Sequence, residues 1–208
     1  MNLLSTIKSG NKPILLVFIL LFTAVWVNSI MGTTDMPNWI IENTLTVISL
    51  AFLISTYRTF RFNNFSYLLL CMFLCMHVYG SKYTYAENPF GFYFQEILNS
   101  PRNQYDRLVH FSFGLLLFYP MWECFSKWLK YPKNIAFFLP TLLVVSVGAI
   151  YEIIEWLVAD IFFAEQGIAY LGTQGDIWDA QKDMAVALAG VCISSLLFCS
   201  FNALKDKA

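Results

Sequence analysis

Six apolar stretches constrain this chain more than any other feature, because each is close to the ~20 residues an α-helix needs to cross the hydrocarbon layer of a bilayer. They occupy residues 13–31, 39–57, 65–81, 109–128, 135–163 and 184–203. Lipid offers no hydrogen-bond partner to a peptide group, so stretches of this kind satisfy their backbone internally, as helices. Composition agrees: 58% of the residues are hydrophobic and only 13% charged, outside the balance of a soluble globular chain. The expected fold is therefore all-α and polytopic, a single bundle of about six transmembrane helices near 13–31, 39–57, 65–81, 100–128, 135–163 and 177–203. One domain over residues 1–208 consumes the chain, and no linker, repeat or low-complexity tract is left over. The fifth stretch is long enough to tilt or to project from the bilayer.

The first stretch follows Lys8 and Lys12, as a signal peptide would, but it is long and no small-x-small cleavage site follows "AVWVNSIMG", so it reads as an anchor. Cys71, Cys75, Cys124, Cys192 and Cys199 fall in or beside apolar stretches rather than in a long loop, which predicts reduced, buried, structural thiols. Cys71, Cys75 and His77 together are one ligand short of an ordinary zinc site.

The basic residues divide by loop. Lys8, Lys12, Arg58, Arg61, Lys127, Lys130, Lys133, Lys205 and Lys207 make nine on one side of the bilayer, against four on the other, Lys82, Arg102, Arg107 and Lys182. The positive-inside rule then places both termini in the cytoplasm. The net charge of −1 says little about partners; the lipid bilayer is the expected surrounding medium, and no nucleic-acid partner is expected. No feature of the sequence specifies an oligomeric state.

On the basic-poor side, three predicted helix ends share one level: "YDRLVHF", "YEIIEW" and "GDIWDAQKDM". Asp106 and His110 are four residues apart, Glu152 and Glu155 three apart, and Asp176, Asp179 and Asp183 follow i, i+3, i+7, so each set shares a helix face. Carboxylates gathered in a low-dielectric setting repel one another unless they are protonated, paired or bound to a cation. The expectation is one outward-facing pocket whose metal ligands are drawn from Asp106, His110, Glu152, Glu155, Asp176, Asp179 and Asp183. Many carboxylates with one imidazole suit Mg²⁺, Mn²⁺ or Zn²⁺, and Asp106, His110 and Glu155 are the candidates for catalytic proton transfer.

Plainer roles stand beside these. Asp176 after Gly175, with Asp179 three residues on, has the form of a helix cap, and Asp106 suits the positive end of a helix dipole. Asp183 and Glu155 suit salt bridges or hydrogen bonds to Lys182, Arg107 or His110. Glu42 and Asn43 lie toward the same side. Glu123 sits at the opposite end, an i, i+4 partner for Lys127. The aromatic loop "YTYAENPFGFYFQEILNSPRNQY" suits the membrane interface and the role of a lid.

The stretches "NQYDRLVHF", "YEIIEW" and above all "LGTQGDIWDAQKDM" closely resemble the signatures of the YjdF-type family of bacterial inner-membrane proteins, across essentially the whole chain. Gly172, Thr173, Gln174, Gly175, Asp176, Trp178, Asp179, Gln181, Asp183 and Met184 fall where that pattern puts them. The resemblance implies a multi-pass protein of the bacterial inner membrane whose polar constellation belongs to the family; it names no reaction. A looser likeness to VanZ-like membrane proteins, through Asp106, His110, Glu152, Asp183 and Gly190, implies a role at the envelope surface. Two function classes follow. One is a metal-dependent enzyme or binding protein acting on a lipid or envelope-linked substrate. The other is a cation- or proton-coupled transporter, with a structural membrane scaffold as a third reading. The inner halves of the last two helices, "FFLPTLLVVSVG" and "GVCISSLLFCSF", carry no ionisable relay, which favours a site open on one side.

Overall fold

The structure is a computed structural model that describes residues 12–162 and 173–205; Lys8, Lys207, Gly172 and the last residue of the expected fifth span, Phe163, lie outside them. Among the described residues, six helices are long and apolar enough to cross a membrane. They are α1 (Lys12–Gly32), α2 (Met36–Thr56), α3 (Asn64–Ser81), α5 (Tyr105–Glu123), α6 (Lys133–Leu157) and α7 (Asp179–Lys205), and a short α4 (Pro89–Ile97) lies between α3 and α5. Among the described residues there is no strand.

The helix starts are written in the sequence. Asp35, Asn63 and Asn88 each accept the N–H of a residue two or three places on, Asn38, Ser66 and Phe90, at 3.0, 2.9 and 3.0 Å, and so satisfy donors that a helix N-terminus leaves free. Pro37 and Pro89 stand in the first turns of α2 and α4, where a missing N–H costs nothing. Pro120, within α5, removes one ladder donor, and the helix widens soon afterwards into a π-helical turn over Cys124–Trp128. A second π-helical turn, Val158–Phe162, extends α6.

α5 is the central helix. Against α1 and α3 it buries Phe22, Phe73, Leu74, Val78, Val109 and Leu117; against α6 and α7 it buries Phe118, Val144, Ala187 and Val191. Its most extensive partner is α7. There the backbones touch, because a Cβ on Gly114 would overlap the Ala187 carbonyl oxygen and a Cβ on Gly190 the Phe111 carbonyl oxygen. Small residues at a crossing are the usual route to close helix approach in lipid, where no hydrophobic force drives helices together. The opposite faces are apolar and exposed, with Leu196, Leu197 and Phe201 on α7 and Leu16, Val17 and Leu20 on α1 turned to the bilayer.

Polar side chains tie the outer helices on. Trp26 donates to Asn43 Oδ1 at 2.8 Å, Trp39 to Ser29 Oγ at 3.0 Å, and Asn43 Nδ2 to Ser81 Oγ at 2.9 Å, linking α1, α2 and α3. Three expectations need correction. α5 begins at Tyr105, not near residue 100, because Arg102 and Asn103 are held in a tight loop by Ser100 and Gln174. The aromatic loop contains α4, whose exposed Phe90, Phe92, Tyr93 and Ile97 suit a helix lying in the interface. All five cysteines are free, but Cys192 and Cys199 are exposed on the lipid-facing side and only Cys71 is buried.

Candidate functional site

The ends of α2, α3 and α6 that approach α4, and the starts of α5 and α7, bring the predicted residues to one end of the bundle. Asp106 lies in the first turn of α5 and His110 one turn further on, with Nε2 3.5 Å from Asp106 Oδ1 and 3.6 Å from Glu152 Oε1 of α6. Glu152 and Glu155 border one cleft with Asp176, Asp179 and Asp183. His110 and Asp183 are 8% and 2% exposed. All seven expected residues are therefore gathered at one place.

The geometry sorts them into two groups, joined by Arg102, 3.7 Å from Asp106, and Arg107, 3.8 Å from Asp183. Asp176 and Asp179 belong to an ion-pair lattice: Arg107 reaches Asp176 at 2.5 Å and Asp179 at 3.4 Å, Lys182 reaches Asp176 at 2.6 Å, and Arg102 pairs closely with Asp179. Asp176 also accepts the Trp178 N–H at 3.1 Å, so it caps the turn ahead of α7, whose first residue is Asp179. Lys182 first, then that backbone bond, hold the Asp176 carboxyl well below the usual carboxylate range, with Arg107 adding to them. Burial presses the Arg102 guanidinium to a lower pKa while Asp106 opposes the shift. The loop before α5 is clamped to the Gly-Asp turn by a two-point amide contact, from the Asn103 N–H to Gln174 Oε1 at 2.8 Å and from Gln174 Nε2 to the Asn103 carbonyl at 3.4 Å.

The second group is Asp106, His110 and Asp183. One ligand atom from each lies within 4.8 Å of the others. Glu152 and Glu155 flank them. Asp183 Oδ1 and Glu152 Oε1 are buried and accept no hydrogen bond, and Arg107 Nε lies 3.8 Å from Asp183 Oδ1. With bonds of 2.0–2.2 Å to an ion, neighbouring tetrahedral ligands stand about 3.4 Å apart, so these three groups could hold a divalent cation only by drawing closer than the 4.8 Å that now bounds them.

Beneath lies a cavity of about 60 Å³, lined by Glu42, His77, Tyr85, Asp106, His110, Tyr151 and Glu155 on its polar side. Tyr151 donates to Glu42 Oε2 at 3.0 Å, and Glu42 is 4% exposed. His77 is not a partner of the cysteines. Its Nε2 must donate to the Glu42 carbonyl, at 3.1 Å, which leaves Nδ1 to accept from the Tyr85 hydroxyl at 2.5 Å. Burial raises the Tyr85 phenol well above its ordinary pKa, so it stays a donor.

In the sequence Arg102 stands out only as one of the outer basic residues, Glu42 as a lone acid near a helix end, and Tyr151 not at all. A signal for Tyr151 exists, since Gly148, Tyr151 and Glu155 repeat at helical spacing on one face of α6.

Fold and site together define a class: a six-span helical membrane protein with a carboxylate-rich, partly neutralised site at one end. The chain belongs to the family described as "Predicted membrane protein (DUF2238)", whose model matches residues 14–203. It is 32% identical over 194 residues to the inner membrane protein YjdF of Escherichia coli strain K12, covering 92% of each chain. No solved structure matches it.

Proposed function

We propose that Asp106, His110 and Asp183 bind a divalent cation, Mg²⁺, Mn²⁺ or Zn²⁺, in a site that acts on a lipid or envelope-linked substrate at the outer face of a bacterial inner membrane. The observation that carries this is the convergence of the three ligand atoms around a buried carboxylate oxygen with no hydrogen bond. Charge counting supports it: Glu42, Asp106, Glu152, Glu155, Asp176, Asp179 and Asp183 are seven acids, against three fixed cations, Arg102, Arg107 and Lys182. The lattice holds Asp176 and Asp179, its arginines also reach Asp106 at 3.7 Å and Asp183 at 3.8 Å, and acidic groups still outnumber fixed cations in the buried half. A bound cation would supply Lewis-acid polarisation of a phosphoryl or carbonyl oxygen, or activation of water. His110, Glu152 and Glu155 stand where they can hold or move a proton beside it.

The outward placement rests on the nine-to-four division of basic residues and on six spans, an even number, which bring both termini to one side, the cytoplasm. The relative's name supplies the inner membrane. A transport path through the bundle is less well supported. Below the site, α5 and α7 close on Gly114 and Gly190, and residues 111–122, 134–150 and 184–204 hold no acid, base or histidine on the way to Glu123.

The test is metal analysis of detergent-purified protein with thermal melts in each ion. A stoichiometric metal, or a melting point raised by one of the three ions and no longer raised in His110→Ala and Asp183→Asn, is the expected result. No metal and no shift with any of them would overturn the proposal. For the enzyme reading, envelope-lipid profiles of a deletion strain should be restored by wild type and not by stably made Asp106→Asn or Glu155→Gln. Accessibility, only from the cytoplasm, of a cysteine at the exposed Glu96 in the loop leading to Asn103 would reverse the orientation.

A further inference from the structure

The cavity beneath the cation site has four helical walls. α2 contributes Glu42 and Leu45, α3 Phe73 and His77, α5 Asp106, Val109, His110 and Phe113, and α6 Val147, Gly148, Tyr151 and Glu155. Going round this ring, α2 packs on α3, α3 on α5 and α5 on α6, but among the described residues α6 and α2 barely touch. α1 packs on α3, and α7 on α5 and α6, so neither covers the α2–α6 seam. The Tyr151–Glu42 hydrogen bond crosses it.

The lining is graded. Its polar groups lie toward the cation ligands, whereas Leu45, Phe73, Val109, Phe113 and Val147 make the remainder apolar. Gly148 is buried in the bundle, yet a Cβ built there would meet no atom within 4 Å, so α6 leaves open space opposite it. Glu42, Leu45 and Phe113 are six to nine residues inside their helix ends, roughly 9–13 Å along the helix at 1.5 Å per residue. At that depth an open seam faces hydrocarbon, not water.

We infer that the α2–α6 seam is a lateral portal through which a bilayer amphiphile seats the root of its alkyl chain in this cavity, its polar head at the cation site. A cavity of about 60 Å³ takes only the first groups of a chain. The remainder of the chain stays in the bilayer between α2 and α6. The position of the chain rests on the cavity alone; the orientation of the head rests on the proposed cation site.

The experiment uses the full chain in phosphatidylethanolamine–phosphatidylglycerol vesicles doped with a phosphatidylethanolamine that carries a diazirine close to its acyl carbonyl. Photolabelling is expected at Leu45, Phe113 and Val147, above the level at the lipid-facing Leu196 and Leu197. Gly148→Leu, which fills the cavity, should lower labelling at Leu45 and Phe113 about tenfold and leave Leu196 and Leu197 unchanged. Gly148→Ala, a gentler change that favours the helix, should lower it partly. Labelling at Leu45 and Phe113 no greater than at Leu196, as a water-filled or closed cavity gives, would overturn the inference. So would protein–protein cross-links across α2 and α6 in place of lipid adducts. His110→Ala and Asp183→Asn separate the two proposals, since loss of the cation response with chain labelling intact leaves the portal standing, and a cation response without labelling leaves only the metal site.

Discussion

The two ends of the bundle handle buried charge in opposite ways. At one end stands a single acid, Glu123, 2% exposed, which accepts the Asn63 N–H at 3.1 Å, the Ser66 hydroxyl at 2.5 Å and Lys127 Nζ at 2.9 Å. Every strong acceptor direction is used. At the other end seven acids meet three fixed cations, and two buried carboxylate oxygens accept no hydrogen bond. A polar node that is saturated stabilises a fold, whereas one left short of partners is costly in lipid and persists where something else is to be bound. On this contrast the Glu123 end is structural, and it is the Asp183 end on which the proposed function rests.

The largest expected effect tests the saturated end. Glu123→Ala strands the Ser66 hydroxyl, the Asn63 N–H and the Lys127 ammonium, and breaking a buried pair in this way costs about 3–5 kcal/mol. Thermal or denaturant unfolding in detergent should show that loss while the response to a divalent cation is retained. A Glu123→Ala protein as stable as wild type would break the comparison, since the node would then hold nothing together.

Next come the crossing glycines. Gly114→Ala and Gly190→Ala favour each helix by up to about 1 kcal/mol through propensity. Each nevertheless pushes a methyl group into a backbone carbonyl of the partner helix. Overpacking of this kind costs about 1–3 kcal/mol. A net loss of stability is expected, together with weaker cation binding, because α7 carries Asp183 and α5 carries Asp106 and His110. Unchanged melting curves would show that the helices part without cost.

The legible and illegible parts of this molecule divide along the same lines. The six spans were readable because a run of apolar residues has a single solution in lipid, and the three groups of site acids were readable because helical spacing puts each on one face. The lattice around Asp176 and Asp179 was not, since Arg102 looks like an ordinary outer-loop charge until the loop from Ser100 to Gln104 turns it onto Asp179, and Arg107, expected beside Asp183 or Glu155, reaches Asp176 from the start of α5. Glu123 looked like a simple i, i+4 partner of Lys127 because its other contacts, Asn63 and Ser66, are about sixty residues away in sequence. The cavity needed four helices placed together; one glycine at position 148 gives no warning of the space beside it.

Asp183→Asn sharpens the comparison from the other side. If the buried carboxylate is held for a ligand, its neutralisation in cation-free protein should change stability by no more than about 1 kcal/mol, the net worth of an ordinary hydrogen bond. The same change should abolish the cation-induced rise in melting temperature. A loss as large as that of Glu123→Ala, with the cation response retained, would make Asp183 a structural partner of Arg107 and move the two ends of the bundle into one class.

The smallest effect concerns the rim of the site. Asp176 has its pKa depressed, first by Lys182, then by the Trp178 N–H, with Arg107 contributing as well. The sign follows from linkage: a carboxyl held below its unfolded pKa contributes stability above that unfolded value, 3.8, and the contribution drains away as pH falls toward the folded value. The stability difference between wild type and Asp176→Asn should therefore be constant from neutral pH down to about 5 and shrink below it. Salt should shrink it too, since the Lys182 partner is half exposed and screening acts on exposed pairs. The cation response, carried by Asp106, His110 and Asp183, should not follow this profile. Coincidence of the two profiles would mean that the ion-pair lattice and the cation site are one titrating unit, and the division drawn within the acidic end would fail.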